Sequence, residues 1–223
     1  MPTSGLTPIA AFWDSSADTF DDEPDHGLRD PHVRAAWARR LAGWLPGPSA
    51  EVLDLGCGTG SLTLLLAQLG HHPTAIDLSP RMIAQAERKL SEAGFAVPLI
   101  VGDAGDPPGV GRHAFDAIVV RHLVWTLPAP DEALRRWLDL LRPDGRLILV
   151  EGRWGGSDAG GSYAPGSPPL PWLGGVPAVR LIAALEPHAR IVHTEHLTDP
   201  ALWGRPISDE RYVVIAQAPR PHR

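Results

Sequence analysis

The stretch VLDLGCGTG at residues 52–60 decides the fold of this chain. An apolar strand runs directly into a turn that holds three glycines, and a helical pattern at 61–69 follows. Glycine allows a sharp turn and a close approach of the backbone to a ligand, while the free N–H groups at a helix start favour polar or anionic groups. The stretch therefore predicts a strand, a ligand-binding turn and a helix.

Strands and helices alternate from this turn to the end of the chain. Apolar runs predict strands at 51–55, 73–77, 97–101, 115–120, 145–151, 190–197 and 211–217. Helical patterns lie at 60–69, 79–93, 130–141 and 176–186, whereas the crossover at 102–114 predicts a loop. This alternation predicts a parallel sheet with helices on both faces. The last two strands predict a closing antiparallel hairpin.

The segments on either side of this core have different compositions. A helix is predicted at 31–45, with Asp30 as its N-cap and Pro31 in its first turn. The Gly-, Ser- and Pro-rich stretch 152–171 predicts a long loop of the kind that often forms a lid. We expect one domain over 1–223, in which 1–48 form an N-terminal helical cap and 49–223 a core with a lid loop at 152–171.

Composition and charge exclude several classes of protein. The 223 residues carry a formal net charge of −6, which argues against a nucleic-acid-binding surface. No signal peptide and no apolar run of about 20 residues is apparent, so we expect a cytoplasmic protein without a membrane partner. The single cysteine, Cys57, excludes an internal disulfide. No His/Cys cluster has metal-ligand spacing, so no metal is predicted. A monomer or a homodimer is expected.

An acidic residue ends the second predicted strand, in the segment AIDLS at 75–79. In dinucleotide-binding folds a carboxylate about 20 residues after the glycine turn accepts hydrogen bonds from ribose hydroxyls. Asp77 is therefore predicted to bind a ribose. The alternative is that Asp77 only caps the helix that starts near Pro80, a role that Ser79 can also take.

Five segments in this order resemble the class I S-adenosylmethionine-dependent methyltransferases. They are VLDLGCGTG at 52–60, AIDLSPRMIAQA at 75–86, GDA at 102–104, FDAIVVRHLVWTLP at 115–128 and LRPDGRLILVEG at 141–152. Within that family the chain looks like the small-molecule methyltransferases of ubiquinone and menaquinone biosynthesis. The resemblance implies an α/β fold: a Rossmann-like, doubly wound sheet of seven strands, mostly parallel, with an antiparallel last strand. It also implies S-adenosyl-L-methionine as the cofactor.

The same resemblance implies which residues hold the cofactor. The glycine turn would pass under its methionine and ribose, Asp54 would hold the amino group, and Asp77 would bind both ribose hydroxyls. Leu78 would pack on the adenine, next to the segment at 103–104, and Arg121 would lie near the methyl end. The implied set is Asp54, Gly56, Cys57, Gly58, Gly60, Asp77, Leu78, Asp103, Ala104 and Arg121.

Aromatic residues and two histidines are predicted around the methyl group. An aromatic pocket suits a flat substrate and stabilises a sulfonium by cation–π contact, although simple packing is an equally good explanation for any one ring. His26 and His122 are the candidate general bases, because an imidazole titrates near neutral pH. The predicted substrate residues are Trp13, Phe20, Trp125, Arg153, Trp154 and Trp172.

These features predict methyl transfer to an N or O atom of a small aromatic or heteroaromatic molecule, of the kind found in specialised metabolism. One alternative is methylation of RNA or protein, which predicts a basic surface beside the crevice. Another is a non-methylating enzyme that binds the same cofactor. A NAD-dependent dehydrogenase is disfavoured by the glycine spacing and by the segments GDA and LRPDG.

Overall fold

The computed structural model describes residues 5–155 and 162–217, and within them seven strands form one sheet of order β3-β2-β1-β4-β5-β7-β6. The strands are β1 (Glu51–Leu55), β2 (His72–Asp77), β3 (Leu99–Val101), β4 (Phe115–Arg121), β5 (Leu141–Arg153), β6 (Arg190–His196) and β7 (Glu210–Gln217). Strand β7 runs antiparallel to both of its neighbours, and the other described pairings are parallel. The predicted fold class is confirmed.

Helices flank the sheet. They are α1 (Thr7–Ser16), α2 (Pro24–Gly27), α3 (Pro31–Trp44), α4 (Ser61–Gln68), α5 (Pro80–Glu92), α6 (Pro130–Leu140), α7 (Ala178–Leu185) and α8 (Pro200–Trp203). Helices α3, α5 and α8 begin at residues whose side chains cap them. The carboxylate of Asp30 accepts a hydrogen bond of 2.7 Å from the backbone N–H of His32, which caps α3 as predicted. The short helix α8 lies in the β6–β7 connection, where the sequence predicts only a loop.

Two apolar clusters pack on opposite faces of the sheet. Helices α6 and α7 cover one face, where Trp137 is fully buried, and helices α3 and α4 cover the other, where Trp37 is fully buried. The central strand β4 contributes to both clusters, because successive side chains of a strand point to opposite faces. Strands buried on both faces are typical of parallel sheets.

The N-terminal segment lies across the carboxyl ends of the strands. The carboxylate of Asp14, on α1, accepts a hydrogen bond of 3.0 Å from the backbone N–H of Arg81 at the start of α5. Asp18 forms an ion pair of 2.6 Å with the guanidinium of the same arginine. These contacts fix α1 above the ends of β1 and β2, where open α/β sheets bind their ligands.

The structure differs from the sequence-based prediction at strand β5, and part of the predicted lid loop lies outside the described residues. Strand β5 begins at Leu141, four residues earlier than predicted, and its register with β4 shifts at a bulge. The predicted lid loop falls partly outside the described residues, at 156–161. In the two described ranges we find no helix that is long and apolar enough to cross a membrane.

Candidate active site

The glycine turn after β1 is held against the next strand. The backbone N–H groups of Gly56 and Cys57 both donate to the carbonyl of Ile76, at 2.9 and 3.0 Å. Gly56 and Gly58 have φ angles of 69° and 55°, in the left-handed region that favours glycine. A Cβ atom at Gly56 would also lie 2.8 Å from a methyl group of Leu123, so the turn needs glycine for its backbone and for its space.

Asp77 lies at the end of β2 and points into the crevice beside this turn. Its carboxylate accepts hydrogen bonds from the backbone N–H groups of Gly58 (2.8 Å) and Ser79 (2.9 Å). Burial raises the pKa of Asp77 to about 6, and these hydrogen bonds oppose the shift. The hydroxyl of Ser79, not Asp77, accepts from the N–H of Met82 and caps α5. The capping alternative for Asp77 therefore loses its support.

Two further carboxylates face the same crevice. Asp54 is buried at the end of β1, where the hydroxyl of Thr63 donates to it at 2.6 Å. Burial raises the pKa of Asp54 to about 6, although Thr63 and the nearby Arg121 lower it. Asp103 follows β3 and accepts from the N–H of Gly105 at 2.7 Å, while burial raises its pKa. Three acceptor groups thus follow three neighbouring strands.

A cavity of about 370 Å³ joins these strand ends to the N-terminal segment. Fifteen of the residues predicted from the sequence line this cavity, which places the two predicted halves of the site in one space. They are Trp13, Phe20, His26, Asp54, Gly56, Cys57, Gly58, Asp77, Leu78, Asp103, Ala104, Arg121, His122, Trp125 and Trp154.

Three predicted site residues lie elsewhere, and their placement corrects the sequence-based prediction. Gly60 faces α5, where a Cβ atom would lie 2.7 Å from the Cβ of Ala86, so this glycine serves helix packing. Arg153 is exposed at the end of β5, in register with Glu210. Trp172 is 4% exposed and packs in the core beneath α7 rather than in the cavity.

Aromatic rings form another wall of the cavity, and Phe20 in this wall packs against Gly58 of the glycine turn. The indole N–H of Trp13 donates to the hydroxyl of Tyr163 at 2.9 Å, which connects α1 to the described part of the loop after β5. The ring of Trp125 lies 6.3 Å from that of Trp13, 5.9 Å from that of Trp154 and 5.2 Å from that of Tyr163. Phe20 stacks on His26, with their centroids 4.4 Å apart.

Both predicted histidines lie beside this wall. His122 has a φ of 57°, in a region that non-glycine residues seldom adopt, and its ring stacks on that of Trp203 with centroids 5.8 Å apart. Burial, and then the neighbouring Arg121 and Arg211, hold the pKa of His122 well below its usual value. Burial also lowers the pKa of His26, and the carboxylate of Asp25 opposes that shift. Both imidazoles are therefore held neutral at pH 7.

Sequence reasoning missed four residues that shape this end of the cavity. Asp25 and Arg211 line it, and Tyr163 closes on Trp13. Glu151 is fully buried behind the wall, where its carboxyl oxygen accepts from the N–H groups of Leu123 (2.8 Å) and Val124 (3.0 Å). Their neighbours are distant in the sequence, so no local pattern identifies them.

Comparison with known proteins agrees with this arrangement. Residues 53–149 match a family model described as a methyltransferase domain. The ubiquinone biosynthesis O-methyltransferase of Xanthomonas axonopodis pv. citri (strain 306) is 32% identical over 138 residues, which cover 62% of this chain and 54% of that protein. The chain thus spans about half the length of the curated relatives it matches.

Two solved structures share the fold at low sequence identity. One is the 1,6-didemethyltoxoflavin-N1-methyltransferase of Burkholderia thailandensis, solved with 1,6-didemethyltoxoflavin and S-adenosylhomocysteine. Its TM-score is 0.67 at 21% identity, over 98% of this chain and 92% of that one. The other is the geranyl diphosphate C-methyltransferase of Streptomyces coelicolor A3(2), with a TM-score of 0.71 at 15% identity, over 98% of this chain and 100% of that one. Residues 53–149 thus resemble a methyltransferase domain, and the chain shares the fold of these two methyltransferase structures.

Proposed function

We propose that this chain transfers a methyl group from S-adenosyl-L-methionine to an N or O atom of a small aromatic or heteroaromatic molecule. The observation that carries the proposal is the division of one cavity into two halves. Carboxylates at the ends of neighbouring strands line one half, and indole rings line the other. A cavity of about 370 Å³ lies within the range of small-molecule sites, roughly 300–1,000 Å³.

The carboxylate half fits the polar groups of an adenosyl amino acid. Asp77 keeps lone pairs free for two ribose hydroxyls after accepting its two backbone hydrogen bonds. Asp54, with one hydrogen bond from a hydroxyl, suits an ammonium group. Asp103 suits an adenine amino group, and Leu78 offers an apolar contact for the ring. S-adenosylmethionine supplies a methyl group that its sulfonium already activates.

The aromatic half supports a flat acceptor. The rings of Trp13, Trp125 and Trp154 line a slot in this half and meet edge to face, with neighbouring centroids 6.3 and 5.9 Å apart. Aromatic faces favour both π-systems and cations. The α1 segment and Tyr163 cover this slot. A covered slot favours a small acceptor over an RNA or protein chain, which would need an open groove.

Catalysis in such a site depends mainly on alignment and on the exclusion of water. Holding two reactants in line supplies roughly 7–11 kcal/mol of the barrier, and the covering aromatic residues remove water from the reacting centre. Arg121 lies at the end of β4 between the two halves, where its guanidinium can hold the carboxylate of the bound amino acid.

The relatives differ in the acceptor atom. The curated relatives are O-methyltransferases of ubiquinone biosynthesis and have the higher sequence identity, whereas the solved structures include an N1-methyltransferase and a C-methyltransferase. A quinone-like phenol is therefore the first acceptor to test.

The test is transfer of a labelled methyl group from S-adenosylmethionine to a panel of phenols, catechols and aromatic N-heterocycles, with RNA and protein as competitors. We expect labelled product from the aromatic panel alone. Trp125→Ala should raise the acceptor KM at least tenfold while leaving S-adenosylhomocysteine affinity within threefold of wild type. Label in RNA or protein, or in no aromatic compound although the cofactor binds, would contradict the proposal.

A further inference from the structure

Three potential metal ligands converge at the acceptor end of the cavity. Asp25, His26 and His122 each offer one ligand atom, and these atoms lie within 4.8 Å of one another. The carboxylate oxygen Oδ2 of Asp25 lies 3.8 Å from Nε2 of His26. The first two residues are adjacent at α2, whereas His122 follows β4, so the sheet and the N-terminal segment assemble the group.

Two of these atoms are buried and lack a hydrogen-bond partner among the described residues. They are Oδ2 of Asp25, a residue that is 6% exposed, and Nε2 of His122. Buried polar atoms nearly always have a partner, and an orphaned atom calls for a bound water, an ion or a ligand. Asp25 and His122 both belong to the three-residue group, so a single ion bound there would satisfy both atoms.

The two imidazoles are already held as metal ligands require. The ring of His26 stacks on that of Phe20 with centroids 4.4 Å apart, and its Nε2 lies 3.8 Å from the carboxylate of Asp25. His122 is fixed by its left-handed backbone and by stacking on Trp203. A zinc ion with ligand distances of about 2.0–2.2 Å needs its ligands about 3.4 Å apart, so small side-chain rotations complete the site.

We propose that Asp25, His26 and His122 bind one divalent transition-metal ion at the acceptor end of the cavity. Two imidazoles and a carboxylate suit Zn²⁺, Mn²⁺ or Fe²⁺ better than Ca²⁺. Three protein ligands leave at least one coordination position open toward the acceptor. Metal binding itself is independent of the proposed methyl transfer, but the orientation of an acceptor oxygen by the ion rests on it. The imidazoles then act as ligands, not as the general bases that the sequence predicts.

Nearby arginines limit the strength of the site. Nη1 of Arg211 lies 3.9 Å from Oδ2 of Asp25, but Asp209 holds that guanidinium with hydrogen bonds of 3.1 and 3.0 Å. Arg121 donates to the backbone carbonyl of Asp25, and the charge of the Asp25 carboxylate also acts on its guanidinium. These positive charges oppose a bare cation, so an anionic acceptor oxygen in the open position should tighten metal binding.

The experiment is calorimetric titration of ZnCl₂ and MnCl₂ into the tag-free, chelator-treated full chain. The variants are His122→Asn, which tolerates the left-handed backbone, and His26→Gln, with His188→Asn as the control at an exposed histidine. We expect one saturable site in wild type and in the control. Both site variants should lose at least tenfold in affinity while keeping the wild-type circular dichroism spectrum.

Two results would overturn the metal site. One is no saturable binding of either ion to the wild type, and the other is binding to His122→Asn and His26→Gln that equals the wild type. S-adenosylhomocysteine is titrated into the same samples. Cofactor binding without metal binding contradicts the metal site alone, whereas metal binding without cofactor binding contradicts the proposed function alone.

Discussion

At the residue scale, Asp77 and Asp54 combine burial with a role as hydrogen-bond acceptors. Both have a pKa raised from 3.8 to about 6, because burial disfavours their charged forms. Below that pH each carboxyl takes up a proton and becomes a poorer acceptor for hydroxyl and ammonium groups. The residues that we assign to the cofactor therefore make its binding dependent on pH.

We predict that the affinity for S-adenosylhomocysteine falls as the pH is lowered through 6. At pH 5, one unit below their pKa, each carboxyl is about nine-tenths protonated, so the dissociation constant should be at least about tenfold higher than at pH 7.5. Titration calorimetry at the two pH values measures this change. In Asp77→Asn the affinity should be lower at pH 7.5 and should depend less on pH. Equal wild-type affinities at both pH values would contradict the assignment of these carboxylates.

At the element scale, the hydroxyl of Tyr163 adds a hydrogen bond to the apolar contacts between α1 and the loop after β5. We predict that Tyr163→Phe raises the acceptor KM about threefold to tenfold, because the hydrogen bond to Trp13 contributes about 0.5–1.5 kcal/mol to closure. Cofactor affinity should stay unchanged. Steady-state kinetics with an accepted substrate measures the effect.

Tyr212→Phe is the matched control for this variant. Its hydroxyl donates to the carbonyl of Val176 at 2.7 Å, in the core and away from the cavity. This control should lower stability and leave the acceptor KM unchanged. An equal rise of the acceptor KM in both variants would contradict a specific role of the Tyr163 hydroxyl in covering the slot.

Glu151 supports the segment that carries His122 and Trp125. We predict that Glu151→Ala lowers the free energy of unfolding by at least about 2 kcal/mol, because two buried N–H groups lose their acceptor. Glu151→Gln keeps an acceptor oxygen and should stay within about 1 kcal/mol of wild type at pH 5. Urea unfolding measures both. Equal losses in the two variants would contradict a hydrogen-bonding role.

The difference in the free energy of unfolding between Glu151→Gln and wild type should also change with pH. Burial raises the pKa of Glu151 from 4.5 to about 8. The unfolded carboxyl ionises first as the pH rises from 4.5, so wild type loses stability toward pH 8. The glutamine variant has no carboxyl to ionise at this position, so its free energy of unfolding should rise relative to that of wild type between pH 5 and pH 7.5. A gap that is constant with pH would mean that the folded carboxyl is ionised throughout.

The elements were predictable from the sequence because their signals are local. The apolar strand, the glycine turn and the cap at Ser79 each depend on residues within a few positions. The acceptor end was less predictable, because Asp25 and Arg211 meet only through the folded sheet. The path of the loop after β5 has no local pattern either, which is why Trp172 was predicted in the pocket although it lies in the core.

At the scale of the whole molecule, one sheet connects both apolar clusters. In β4, Ile118 and Val120 pack on one face while Ala117 and Val119 pack on the other. Because both clusters pack on the same sheet, unfolding of the sheet would expose both of them. We predict a single cooperative thermal transition, with equal calorimetric and van't Hoff enthalpies. Two separate transitions in differential scanning calorimetry would contradict the prediction of one domain.

The central claim is that the glycine turn and the carboxylate of Asp77 hold an adenosyl amino acid. Calorimetric titration of S-adenosylhomocysteine and of NAD⁺ into wild type and Asp77→Ala tests it most directly. We predict saturable binding of one S-adenosylhomocysteine to wild type, at least tenfold weaker binding to Asp77→Ala and no binding of NAD⁺. Binding of NAD⁺ with no uptake of S-adenosylhomocysteine, or equal affinity of the two proteins for S-adenosylhomocysteine, would contradict it.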